Sequence, residues 1–326
     1  KKSPHFLDFK YFISDGVAEN KVGLVTLTKV THGMRPTQNN LIYMPSDLKD
    51  AIPTLTNPYN IPIKPMHKEV AVVDGKKIEN IEDLFFEFLR VAKDLRPKVI
   101  VAENVKGLTV GEAKKYYYKI TNTFEEIGYD VSSKVLNSVH YGVPQTRQRT
   151  IFIAVREDVT KEIGLTFMNI ASIFPDESRD VVTLEDCLSD IEVDKKEADT
   201  LIEKFKNKSH YETWLKMPDD PDKVLGGNDY HPKGWHFNVK KMSRHHPAPT
   251  ITTNADVCHF IEKRRLTIKE IKRLMSLPDD FIVTGSMSQK IERCGRMVPS
   301  LMMKAIAESV YKNVIEPYNK SVDKTC

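Results

Sequence analysis

The sequence predicts an α/β fold, an open and mainly parallel sheet covered by helices, with a smaller loop-rich module attached. Three observations predict it. Short apolar runs alternate with amphipathic helical stretches between Val70 and Val155. From about Lys161 to Ile261 that periodicity is lost and the chain becomes charge-rich. Helical patterns then return between Thr267 and Val310, so the C-terminal part rejoins the first.

Taken in order, the segment from Lys1 to Pro65 is irregular, because prolines at 36, 45, 53, 58, 62 and 65 interrupt every candidate helix. Val70-Ala71-Val72-Val73 has the look of a buried strand, closed by the turn pair Asp74-Gly75. Leu84, Phe85, Phe88, Leu89, Ala92 and Leu95 recur at helical spacing until Pro97. A second buried strand is expected over Lys98–Ala102. A helix carrying Tyr117, Ile120, Phe124 and Ile127 follows and stops at Gly128. Further strands are expected near Val131–Leu136 and over Thr150–Val155. Thr267-Ile268-Lys269-Glu270 forms a capping box in front of Ile271, Leu274 and Met275. Pro299 suits the first turn of a closing helix with Leu301, Met302, Ala305, Ile306 and Val310 on its inner side.

Composition narrows the function only by exclusion. A chain of 326 residues that is 40% apolar can build a large core. Its net charge of +4 favours a polyanionic partner only mildly. No stretch has the length and apolarity of a membrane span, and the first ten residues lack a secretory core, so a cytoplasmic protein without a membrane partner is expected. Four cysteines, Cys187, Cys258, Cys294 and Cys326, show no CxxC spacing, which argues against a disulfide scaffold or a zinc knuckle. His245, His246, Cys258 and His259 also lack ligand spacing, so no metal is expected.

Three clusters could carry chemistry. Glu103-Asn104-Val105 follows the strand over Lys98–Ala102, which puts a carboxylate at the mouth of the sheet, where ligands gather. A loop or helix-capping glutamate is the plain alternative. In Gln145-Thr146-Arg147-Gln148-Arg149 two arginines at alternate positions of an extended segment point the same way, and could hold a carboxylate or a base oxygen. A solvated, charged strand start would look similar. The third cluster runs from Arg264 to Phe281, a capped helix followed by Pro278-Asp279. The lysines at 195, 196, 204, 206, 208, 240 and 241, with Arg244, form either a phosphate-contacting face or a solvated surface. Trp214 and Trp235 are expected as core anchors of the small module.

The ordered series Asp83-Leu84-Phe85-Phe86, Pro97-Lys98 with Glu103-Asn104-Val105, Gln145 to Arg149, Arg264 to Phe281, and Gly295-Arg296-Met297-Val298-Pro299 resembles the later motifs of the DNA cytosine carbon-5 methyltransferase family. The likeness covers about residues 70 to 315. It implies a Rossmann-like S-adenosylmethionine-dependent methyltransferase with a smaller target-recognition domain. The expected boundaries are 1–165 for the catalytic domain, 166–262 for target recognition, and 263–326 for a segment that rejoins the catalytic domain. It also implies S-adenosyl-L-methionine as cofactor and double-stranded DNA as partner, with a monomer expected. In the implied reaction a cysteine thiolate adds to carbon 6 of a flipped cytosine, carbon 5 takes the methyl group, and a base removes the carbon-5 proton.

By resemblance, Glu103 grips the base, Arg149 meets its O2, Arg147 supports the pocket, and Asn104 and Gln145 assist. Leu84 packs on the cofactor's adenine, and Arg296, Met297 and Val298 close the cofactor pocket. The chain departs from the family in two places. Arg296 stands where an asparagine is usual. No Pro-Cys follows the strand ending at Asp74-Gly75, no Phe-x-Gly-x-Gly segment precedes it, and none of the four cysteines matches the nucleophile. Two readings are open: a Pro-Cys loop belongs between Gly75 and Lys76 of the natural protein, or the chain is a relative that binds DNA without methylating it. A cytosine methyltransferase acting on RNA is a third.

Overall fold

A computed structural model describes residues 70–73, 76–79 and 84–323, apart from 167–168, 178–179, 207–208, 232–238 and 254–256. The described residues form two compact units. One combines those up to Lys134 with Thr150–Ser172 and those from Glu316 onward; the other combines Val135–Arg149 with Ile173–Ile315. The expectations for the proline-rich first 65 residues, for Trp235 and for Cys326 lie outside the described residues.

In the first unit, β1 (Val70–Val73) and β2 (Lys76–Glu79) pair antiparallel, with Val73 opposite Lys76. The expected strand is therefore one arm of a hairpin and not a member of the central sheet. Asp-Gly between two strand-forming runs is the usual signal for a two-residue hairpin connection. Helix α1 (Leu84–Leu95) buries Phe88, Leu89 and Ala92 along one stripe. Pro97 cannot extend it, and Arg96 closes it with φ of 48°.

Strand β3 (Val99–Val105) is buried at its first six positions. Such a run has no polar alternation to mark its end, and it continues three residues beyond the expected Ala102. Helix α2 (Lys114–Glu126) presents Ile120 and Phe124 to the core and ends ahead of Gly128, whose φ of 85° suits only glycine. Strands β4 (Tyr129–Asn137) and β5 (Gln148–Arg156) complete a three-stranded sheet in the order β3-β5-β4.

The amide of Arg156 donates to Lys98 O, while the Thr150 hydroxyl donates to Val105 O at the other end, so β3 and β5 run antiparallel. The amides of Ser138 and Glu157 donate to Arg147 O and Gly128 O, which makes β5 antiparallel to β4 as well. The expected parallel pair, β3 and β4, does run in one direction with α2 as its crossover, but β5 lies between the two. Phe85, Phe88, Phe124 and Phe152 meet edge-on or tilted at centroid distances of 5.8 to 6.3 Å and fill the space between helices and sheet. Helix α3 (Glu157–Ile163) follows and stops at Gly164, φ 69°.

The second unit begins its helices with α4 (Leu184–Leu188), whose capping box joins Thr183 and Asp186. The stretch expected to be loop-rich also holds α5 (Lys195–Lys206) and α6 (Ser209–Lys216). The two-residue strands β6 (Leu225–Gly226), β7 (Lys240–Lys241) and β8 (Val257–Cys258) form its sheet. Trp214 is fully buried with Met217, Val239 and Cys258, which is the core position expected for it. Helix α7 (Ile268–Leu274) has the predicted Thr267–Glu270 capping box, and α8 (Met287–Arg296) has another from Ser286 and Gln289.

Helix α9 (Ser300–Val310) starts one residue later than expected, with Pro299 as its N-cap. A π-helical turn, Tyr311–Ile315, carries the chain into α10 (Glu316–Val322). Within the first unit, α10 sets the Tyr318 ring 4.3 Å from the buried Lys98 ammonium. Among the described residues, no helix is long and apolar enough to cross a membrane.

Candidate active site

Glu103 and Asn104 sit in the last turns of β3, only 9% and 8% exposed, rather than in a loop beyond it. The reading of Glu103 as a solvated loop or capping residue is thereby corrected. The side chain of Asn104 accepts from the amide of Val105 at 2.8 Å, fixing the backbone where the strand turns into the 3-10 turn Lys106–Thr109. A carboxylate taken so far out of water requires polar company or a proton.

In the second unit the segment 143–149 is built into its surroundings residue by residue. Gln145 is completely buried; its side-chain amide donates to Leu274 O at 2.9 Å, and its oxygen accepts from the Ile251 amide at 3.0 Å. Its neighbours complete a short parallel pairing, Thr146 N to Ala248 O and Ala248 N to Pro144 O. Residues 248–251 are thus the scaffold of the Gln-x-Arg-x-Arg segment. They lack periodicity, and the only local signal for them is the proline pair around Ala248.

The two arginines do not share a task. Arg147 is 2% exposed and donates through Nη1 to Ile251 O and through Nη2 to Gly295 O, both at 2.9 Å, so its fork clamps two chain segments. Arg149 is half-buried, with one Nη1 bond to the carbonyl of Gln148 at 2.8 Å. The expectation that both reach one ligand is corrected for Arg147, because its terminal nitrogens face backbone carbonyls.

Gly295 shows why this corner needs a glycine. A Cβ there would stand 2.4 Å from the carbonyl oxygen of Thr252 and 2.8 Å from the Thr253 amide nitrogen. Beyond it, Arg296 binds Glu292 through Nη2 at 2.7 Å, while its Nε–H is buried with no acceptor among the described residues. Met297 and Val298 are half-buried in the extended break between α8 and α9. Ser276, held at φ 53°, gives its hydroxyl oxygen to the Leu301 amide at 3.1 Å and so satisfies one exposed donor at the start of α9. Leu84 is the first residue of α1.

Among the described residues, the three cysteines are not activated thiols. Burial pushes the thiols of Cys187 and Cys258 up to about 12 and that of Cys294 up to about 11, so all three are neutral thiols. The expected basic face is also interrupted. Lys241 is fully buried and bonded to Asp219 at 2.7 Å, and Arg244 is bonded to Asp220 at 2.7 Å.

Under the capping box lies a buried ionic cluster. Arg264 forks onto both oxygens of Glu270 at 2.9 Å, and His259 Nε2 stands 3.6 Å from Glu270. Burial, the largest single influence, raises the affinity of Glu270 for a proton, yet the hydrogen bonds and charge of Arg264, with His259 and the Thr267 amide, together outweigh it and hold the carboxyl below its usual range. Burial pushes His259 down to about 4, although Glu270 pulls the other way. Its Nδ1 accepts from the amides of Ile261 and Glu262, which requires the neutral ring.

Below pH ~6.5 the unfolded histidine takes a proton that the folded one refuses, so stability falls from there down to about pH 4, by roughly 1.4 kcal/mol per pH unit. Thermal melts over that range are expected to show this slope, and His259→Gln is expected to flatten it. Equal slopes in both proteins would show that His259 is not the group responsible.

With the fold and these contacts in hand, comparison with known proteins defines first the class and then the family. The fold is that of a methyltransferase: a candidate DNA modification methyltransferase encoded within an Escherichia coli prophage superposes with a TM-score of 0.52 at 19% identity, over 72% of this chain and 74% of that one. The family model for C-5 cytosine-specific DNA methylases matches residues 74–312, and the chain belongs to that family.

Among its relatives, the Type II methyltransferase M.Eco47II of Escherichia coli is 31% identical over 76% of this chain and 62% of its own length. M1.HphI of Haemophilus parahaemolyticus is 32% identical over 70% of this chain and 60% of its own. M.NgoFVII of Neisseria gonorrhoeae is 32% identical over 73% and 65%. The chain therefore spans about three-fifths of the length of the curated relatives it matches.

Proposed function

We propose that this chain holds the target base and the methyl donor in a DNA cytosine-5 methyltransferase, transferring a methyl group from S-adenosyl-L-methionine to carbon 5 of a flipped cytosine in duplex DNA. The observation that carries this reading is Glu103, shielded from water at the end of β3 in a chain of the C-5 cytosine methylase family. A carboxyl group there meets the ring at N3 and the exocyclic amine. It shares its proton with N3 as the ring loses aromaticity, which offsets the charge that nucleophilic addition pushes into the ring. Arg149 is the donor for O2. Arg147 and Gln145 keep the segment that carries Arg149 in register with residues 248–251, and Asn104 fixes the backbone beside Glu103.

The residues assigned to the cofactor suit it chemically. Met297 and Val298 offer apolar surface, and the buried Nε–H of Arg296 offers a donor still in need of an acceptor. By the family resemblance these residues, and separately Leu84 in the first unit, are assigned to S-adenosyl-L-methionine, which supplies an electrophilic methyl group when bound. Residues 166–262 serve target recognition within a cytoplasmic, monomeric enzyme. Duplex DNA is preferred to RNA as substrate because the relatives are Type II methyltransferases.

The nucleophile comes, on this reading, from a Pro-Cys segment that these 326 residues do not contain. A second reading, a relative that binds DNA without methylating it, is favoured by the three neutral thiols. Intact mass and peptide mapping of the protein made from its natural gene separate the two. Extra residues with Pro-Cys between Gly75 and Lys76 are expected; a continuous junction peptide at 37.4 kDa would favour the silent relative.

A further inference from the structure

We propose that the exposed face of α2 is a second contact for the substrate's phosphate backbone, next to the base site and separate from the recognition module. The inference rests on the reading of the chain as a duplex-DNA methyltransferase.

Residues 106–119 contain four lysines and one glutamate, a net +3 where the whole chain carries only +4. On α2, Lys114 and Lys115 recur one turn later as Tyr118 and Lys119, so the four share one side of the helix. All four are exposed, and the Tyr118 side chain is 51% exposed. The opposite side packs Ile120 and Phe124 into the core. The lysines are laid along aromatic rings, Lys114 at 5.6 Å from the Tyr118 centroid and Lys119 at 4.2 Å from that of Phe86.

Helix stability does not account for this arrangement. Cations are unfavourable in a first turn, and α2 has Lys114 and Lys115 there with no acidic residue and no side-chain cap. Its last turn carries Glu125 and Glu126 and no base, which is again the unfavourable sign. A charge pattern opposed to the helix at both ends fits an external polyanion.

Geometry makes the DNA backbone the fitting occupant. From Lys114 to Lys119 the helix rises about 7.5 Å, close to two base steps of duplex at ~3.4 Å each. Only three residues of chain, at most about 11 Å, separate Glu103 from Lys106, where the lysine-rich segment begins. Helix α2 packs against the 3-10 turn that begins at Lys106, so a backbone that passes Lys106 beside a base held at Glu103 runs on toward this face, and lysines with a tyrosine are the side chains that commonly bind phosphate.

The test is binding of a fluorescent duplex to the full chain across a salt series of about 50 to 200 mM. The triple variant Lys114→Gln/Lys115→Gln/Lys119→Gln is expected to reduce the slope of log affinity against log salt by about 2 to 3, ~0.9 for each lost phosphate contact. Lys161→Gln/Lys320→Gln, on the exposed faces of α3 and α10, is expected to leave the slope unchanged. Thermal melting should be unchanged or slightly raised in the triple variant, since two cations leave the helix start.

An unaltered slope in the triple variant, or an equal fall in the Lys161/Lys320 control, overturns the inference while the methyltransferase reading stands. A wild-type chain that ignores duplex DNA overturns both. Tighter binding of folded RNA than of duplex DNA overturns the choice of partner.

Discussion

Replacing Glu103 by Gln is expected to lower methyl transfer by about 10²- to 10³-fold while duplex binding changes only a few-fold. The substitution keeps the shape and a hydrogen-bonding head group at a position only 9% exposed, so packing at the end of β3 is retained. It removes the group able to share a proton with the ring nitrogen, an interaction that matters most when charge enters the ring. An interaction made chiefly in the transition state appears in kcat, not in ground-state affinity. Single-turnover methylation beside equilibrium DNA binding reads the two separately. A parallel fall in both would assign Glu103 to DNA binding and not to the chemistry.

Gly295→Ala is expected to destabilise the second unit by about 3 kcal/mol or more, although alanine is normally the better helix residue by ~1 kcal/mol. The added methyl would lie 2.4 Å from the Thr252 carbonyl oxygen and 2.5 Å from its carbon, and backbone cannot rotate away as a side chain can. Separating α8 from residues 252–253 would also strain the Arg147 clamp, whose two bonds at 2.9 Å end on Ile251 and Gly295. Gly226→Ala, with open space around the site, is the matched control and is expected to stay within about 0.5 kcal/mol. Urea midpoints for the two variants decide the matter; similar small shifts would mean that the 252–253 backbone yields freely.

Helices α1, α2, α7 and α9 were legible in the sequence because each buries one stripe and carries its own punctuation, whereas α5 and α6 lie in the stretch expected to be loop-rich. Pro97 ends α1, Gly128 follows α2, and the Thr267–Glu270 box opens α7. Strand limits and partners were not. β3 is buried on both faces, so nothing in its pattern shows that it runs on through Glu103 and Asn104. The placement of β5 between β3 and β4 depends on long-range pairing that local periodicity does not encode.

Candidate site residues could be named from the sequence, but their individual surroundings could not. Alternation along 147–149 suggested two equivalent arginines. Resemblance gave Arg147 a supporting role, but what it braces, the carbonyls of Ile251 and Gly295 more than a hundred residues away, was not visible in the sequence. Likewise Lys241 counts as surface charge until it is seen fully buried, with its ammonium bonded to the exposed carboxylate of Asp219. The residues most hidden were 248–253, irregular in sequence yet the backbone against which both Gln145 and Gly295 are fitted.

The central claim is most directly tested by methyl transfer to cytosine-containing duplex DNA, using labelled S-adenosyl-L-methionine and the protein made from its natural gene. Formation of 5-methylcytosine, lost in Glu103→Gln, is the predicted result. Tight binding of the duplex with no methyl transferred by the natural protein would contradict it and leave a binding relative of the family.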